Sequence, residues 1–127
     1  MRTLLEAIGT YYITQAIAAE AELYAYTAPQ GRATPYITYT VVSERPEMES
    51  FDVMPEGVLL QFSIWSAKAE PDEAIGLRDK LRRAFDDARF SIIGGSLIRC
   101  KWEAANLLQE PDGEGWGYHV DYRILTQ

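Results

Sequence analysis

The chain has 127 residues, 47% of them hydrophobic and 24% charged, which is enough for one domain with a real core and argues against wholesale disorder. Its 19 acidic residues against 12 basic ones leave a formal charge of −7, so it does not live by clustered phosphate contacts. A single cysteine, Cys100, excludes an internal disulfide framework, and the longest uncharged stretch, residues 7–19, is too short to span a membrane and is interrupted by Gly9, Thr10, Thr14 and Gln15.

The N-terminus lacks the apolar core of a signal peptide, and Glu6 and Glu20 are wrong for a transit peptide. The first twenty residues are expected to form a helix instead, because Leu4, Leu5, Ile8, Tyr11, Tyr12 and Ile17 recur at spacings of three and four. A short Tyr-rich stretch, residues 23–26, leads into a loop at Ala28-Pro29-Gln30-Gly31. Pro35 opens a strand over residues 36–42, where β-branched and aromatic side chains dominate.

Residues 44–57 change character. Glu44, Glu47, Glu49, Asp52 and Glu56 face Arg45 alone, with Pro46, Pro55 and Gly57 among them. This reads as a solvated acidic loop that carries more than half of the net charge. A strand follows at residues 58–65, with Leu60, Phe62 and Ile64 alternating against Gln61 and Ser63.

The clearest helix is expected over about 71–88. Pro71 stands at its first position, Asp72 and Glu73 lie over the free N–H groups of the first turn, and Arg82 and Arg83 lie toward the other end. Ala74, Leu77, Leu81, Ala84, Phe85 and Ala88 make one stripe. Gly94-Gly95 is a turn, residues 97–103 a strand with Ile98, Cys100 and Trp102 on one face, and Pro111-Asp112-Gly113 a hairpin loop. In the last strand Trp116, Tyr118, Val120, Tyr122 and Ile124 point inward, while His119, Asp121 and Arg123 point outward. The class is α+β, one domain over residues 1–127. Its antiparallel sheet has four to five strands, and both helices cover one face.

No catalytic constellation emerges. His119 is the sole histidine and shares a strand face with Asp121, but no nucleophile stands beside them in sequence. Gly113-Glu114-Gly115-Trp116-Gly117 leads into a strand and carries carboxylates, so it fails as a phosphate loop. Glu47, Glu49 and Asp52 lack calcium-loop spacing. Neither metal nor cofactor is expected. Tyr11, Tyr12, Tyr24 and Tyr26 exceed what one small core needs, which hints at a protein–protein surface.

One order of motifs is familiar. An N-terminal helix, Tyr24, Ala28-Pro29-Gln30-Gly31 and Pro35-Tyr36-Ile37-Thr38-Tyr39 precede an acidic loop. Phe62-Ser63-Ile64-Trp65-Ser66 then runs into a helix, and the chain closes on Glu110-Pro111 and Tyr118-x-x-Asp121-Tyr122-Arg123-Ile124. This order resembles the tail-completion, or tail-terminator, proteins of long-tailed bacteriophages and related gene transfer agents. The resemblance implies a non-catalytic, cofactor-free virion protein, made in the host cytoplasm. It also implies a ring, usually of six copies, that caps the tail tube, joins it to the head–tail connector and lets DNA pass its lumen without specific binding.

A ring needs two different complementary patches on each subunit. Glu47, Glu49 and Asp52 of the acidic loop and Arg78, Arg82 and Arg83 of the central helix are candidates for them. The competing reading is a small soluble α+β ligand-binding or regulatory domain that dimerises through its sheet. A third, weaker one is a small hydrolase using His119 and Asp121.

Overall fold

Helix α1 spans Arg2–Tyr12 and stops there, short of the twenty residues that the stripe predicts. The amide of Thr14 turns back to the Tyr11 carbonyl (3.1 Å), and the Thr14 hydroxyl donates to the same oxygen (2.6 Å). That i to i−3 pattern tightens the last turn and frees the chain to leave. A 3₁₀ turn, Ala16–Ala19, then buries Ile17.

The computed structural model describes residues 2–31, 33–41, 58–68, 70–91, 97–109 and 115–126. The acidic 44–57 loop, the Gly94-Gly95 turn and the Pro111-Asp112-Gly113 loop lie outside the described residues.

Strands β1 (Glu22–Ala25), β2 (Tyr36–Val41) and β3 (Val58–Ser66) precede helix α2 (Asp72–Phe85); β4 (Arg89–Ser91), β5 (Leu97–Gln109) and β6 (Trp116–Thr126) follow it. They form one six-stranded sheet in the order β1-β2-β3-β6-β5-β4. The α+β class holds, but the sheet is mixed and six-stranded, not antiparallel with four to five strands, because β1 pairs parallel to β2. The two short edge strands account for the difference. Three or four residues are too few to show a period.

Helix α2 begins one residue later than expected, with Pro71 as its N-cap, and ends at Phe85 rather than Ala88. Asp87 takes a left-handed conformation (φ 57°), which stops the helix and turns the chain into β4. The predicted stripe is buried along its whole length, Ala88 included. Phe85 packs on Phe62 with ring centroids 4.8 Å apart and meets Tyr11 edge-on at 5.1 Å. Phe62, Ile64, Val120, Tyr122, Leu77 and Leu81 fill the core as the alternation predicts.

Trp102, which alternation with Cys100 places on the buried face, departs from that pattern. It stands opposite Tyr122 on the helix-covered face, yet it is 41% exposed. Helix α2 packs over β3 and β6, and β5 lies one strand further out. The indole is covered by the Arg82 guanidinium instead, 4.2 Å from the ring centre. Strand β5 also runs six residues past the expected end at Glu103. Its ladder with β6 continues across a bulge between Trp102 and Ala104, although Ala104-Ala105-Asn106-Leu107-Leu108-Gln109 lacks strand-forming side chains.

Two of the four surplus tyrosines prove structural. Tyr12 is buried and donates to the Ala21 carbonyl (2.6 Å), and Tyr11 lies stacked on Phe90 and donates to the Ala84 carbonyl (2.6 Å). Tyr26 is exposed.

Candidate subunit interface and the open sheet face

The 3.6-residue period of α2 that buries Leu77 and Leu81 sends Arg78, Arg82 and Arg83 away from the buried stripe. They share one helix but not one condition. Arg78 is held by Asp79 (2.8 Å), donates to the Tyr118 hydroxyl (2.7 Å) and lies over the Tyr118 ring. Arg82 pairs with Asp86 (3.0 Å), whose other oxygen accepts the Tyr122 hydroxyl (2.5 Å). Asp86 thus ties the end of the helix to the sheet. Burial first, and Asp86 second, push the Tyr122 phenol far above its ordinary pKa, and the Asp86 hydrogen bond raises Arg82. Arg83 is exposed and makes no ion pair among the described residues. Glu47, Glu49 and Asp52 lie outside the described residues.

The helices cover one face of the sheet. On the other, β3 and β6 set Ser63 opposite His119 and Gln61 opposite Asp121. Ser63 Oγ and His119 Nδ1 share a hydrogen bond of 2.9 Å, Gln61 donates to Asp121 Oδ1 at 3.0 Å, and Trp65 meets the His119 ring edge-on. A serine beside the histidine is the contact that sequence spacing missed, since only the β3–β6 register brings the two together. It does not make a triad. Asp121 is bonded to Gln61, and Ser63 is only 8% exposed. These are cross-strand polar pairs that stabilise a sheet. Replacing His119 with Ala is expected to cost about 1–3 kcal/mol, because the buried Ser63 hydroxyl loses its partner. Thermal melting checks that cost.

The open face also divides by charge. At its β4–β5 end the register sets Arg89 against Arg99 and Lys101 against Arg123, two like-charged pairs in succession. Asp87 relieves the first through Arg99 (2.6 Å), and that bond holds the Asp87 carboxyl below the usual range; Glu103 pairs with Arg123. Arg99 Nε is buried without a hydrogen-bond partner. At the β1 end the same face carries Glu22.

An apolar cleft of about 830 Å³ runs beside α1, lined by Leu5, Gly9, Tyr11, Ile13, Tyr39 and Phe90 among others. Among the described residues Glu6 is the one carboxylate that lines it. Among the described residues no group of three or more His, Cys, Asp or Glu is placed to hold a metal ion, and no helix is long and apolar enough to cross a membrane.

A family model described as "Tail completion protein gp17" matches residues 9–127. No curated protein sequence matches the chain. Among solved structures, a chain from the virion of a native gene transfer agent particle superposes with a TM-score of 0.71, covering 95% of this chain and 92% of that one at 15% sequence identity. At that identity the likeness is one of fold.

Proposed function

The chain belongs to the tail completion protein gp17 family, a structural and non-enzymatic family of the phage virion, and on that premise we propose that it forms a ring that caps the finished tail tube and joins it to the head–tail connector. The family match across residues 9–127 carries this reading. The hydrolase alternative falls with it, and so does the free-standing ligand-binding domain.

The ring is a homo-oligomer, with six copies as the working number. Its partners are the tail-tube protein on one side and the connector on the other. DNA passes through without specific binding, since a chain of charge −7 offers phosphates little to hold. The candidate charge contact between subunits runs from Glu47, Glu49 and Asp52 to the basic side of α2. Arg83 leads that side, because Arg78 and Arg82 are engaged by their own Asp79 and Asp86.

The deciding experiment is assembly without the protein. Particles made from a genome with this gene silenced should accumulate filled heads and separate tails, and purified protein should join them in vitro. Normal joined particles would overturn the reading. The charge contact has its own check: Arg83→Glu should weaken rings more at low salt than at high salt in native mass spectrometry. Each exposed pair is worth only about 0–1 kcal/mol, but every interface repeats it. Rings indifferent to the substitution would remove Arg83 from the interface and leave the ring standing.

A further inference from the structure

Strand β5 is a sheet edge for most of its length. Its outer neighbour β4 pairs only with Leu97, Ile98 and Arg99, and the Cys100 amide adds one bond to the Ala88 carbonyl (2.9 Å). Beyond that, residues 101–109 have no strand on their outer side among the described residues. Three of the large apolar side chains left exposed in the described residues, Trp102, Leu107 and Leu108, stand on this stretch. An unblocked edge with apolar side chains is a template for another strand. Folds that stay monomeric blunt such an edge with Pro, charge or a covering segment; here Lys101 and Glu103 are the only charges and there is no Pro.

The opposite edge is β1, a strand of four residues, with its outer side likewise unpaired by any strand among the described residues. The two edges complement each other in charge on the open face. Glu22 stands at β1, and Lys101 on the stretch of β5 that β4 leaves uncovered. Direction agrees as well. β1 is parallel to β2, and three antiparallel steps through β3 and β6 make β5 run opposite to β1. Two copies set side by side in the same orientation therefore present β1 antiparallel to β5, the pairing that closes most readily.

We infer that the free edge of β5 receives β1 of the next copy, so that the sheet runs on from subunit to subunit. The inference rests on the ring proposed above and adds which surfaces close it. A head-to-tail contact consumes two different patches of each subunit, and a sheet with two different edges, Glu22 on one and Lys101 on the other, supplies both.

Paired charge reversals test it. A β1 variant, Glu22→Arg with Ala25→Arg, and a β5 variant, Lys101→Glu with Leu107→Glu, alter side chains that are exposed, so each monomer should keep its circular dichroism and melting curve. Alone, each variant should be monomeric by native mass spectrometry, because its altered edge meets like charge. Mixed one to one, they should rebuild rings of strictly alternating composition, since every junction is again complementary. Hydrogen exchange of residues 22–25 and 101–109 should slow at least tenfold in wild-type rings relative to monomer.

Either variant forming rings alone would overturn the inference. So would wild-type rings whose edge amides exchange as in the monomer, and in that case the ring itself would stand. Edge protection that arises only on adding tail tubes would also overturn it, by giving the edge to the tube protein. A wild-type chain that stays monomeric even with tubes present would overturn the ring reading and this inference with it.

Discussion

Phe85→Ala should lower the stability of the domain by about 3–5 kcal/mol, a large share of what a chain of this size holds. The ring is fully buried and touches both layers. It meets Phe62 at 4.8 Å and Tyr122 at 6.2 Å on the sheet, and Tyr11 at 5.1 Å on α1. Phe85 is also the last residue of α2, so its removal leaves a cavity where helix, sheet and N-terminal helix converge. Urea unfolding should give a lower midpoint with an unchanged slope. Phe85→Leu, which keeps most of the volume, should recover more than half of the loss. An unaltered midpoint in the Ala variant would show that the helices and the sheet do not depend on this ring.

Gly115→Ala is the second large effect, and its cause is space. A Cβ at this position would lie 2.3 Å from the Ser66 carbonyl oxygen and 3.2 Å from the Ala67 Cα, both backbone atoms that cannot swing aside. The residue enters β6 just before Trp116, which pairs with Ser66 at the end of β3. To admit one methyl group, the two central strands must part at their end. Overpacking of this kind costs about 1–3 kcal/mol, sometimes more, and the damage should be local. Amide exchange should rise at residues 66 and 116 while the ladder near Phe62 and Val120 stays protected. A variant as stable as wild type with unchanged exchange would contradict this account.

What the sequence makes legible follows from period and length. The stripe from Ala74 to Ala88 and the alternation from Tyr118 to Ile124 are long enough to declare both element and face, and both are buried as read. Helix α1 was legible in kind but not in extent, because the Thr14 hydroxyl decides where it stops. Strands β1 and β4 were hidden by brevity, and with β1 went the parallel pair that makes the sheet mixed. The outer half of β5 was hidden for another reason. Its residues have no preference for a strand and are held there by β6 across a bulge.

The candidate interface follows the same logic. That Arg78, Arg82 and Arg83 leave the buried stripe is readable from the helical period. That Asp86 also reaches Tyr122, and that Arg82 shelters Trp102, depends on tertiary geometry that no spacing encodes. The pairing of Ser63 with His119 is of the same kind, since a one-residue shift of register would erase it.

Cys100 has a practical consequence for anyone handling this protein. Its side chain is fully buried, and burial pushes the thiol up to about 12. At pH 8 the reactive thiolate is then about one part in ten thousand, behind a wall of packed side chains. Alkylating reagents should therefore ignore the native molecule and modify it only in the moments when β5 parts from β6. Labelling half-times across a denaturant series would time those openings directly. The same silence frees the surface for engineering: a cysteine introduced at an exposed position would take a fluorophore or spin label alone, with no need to remove the natural thiol first.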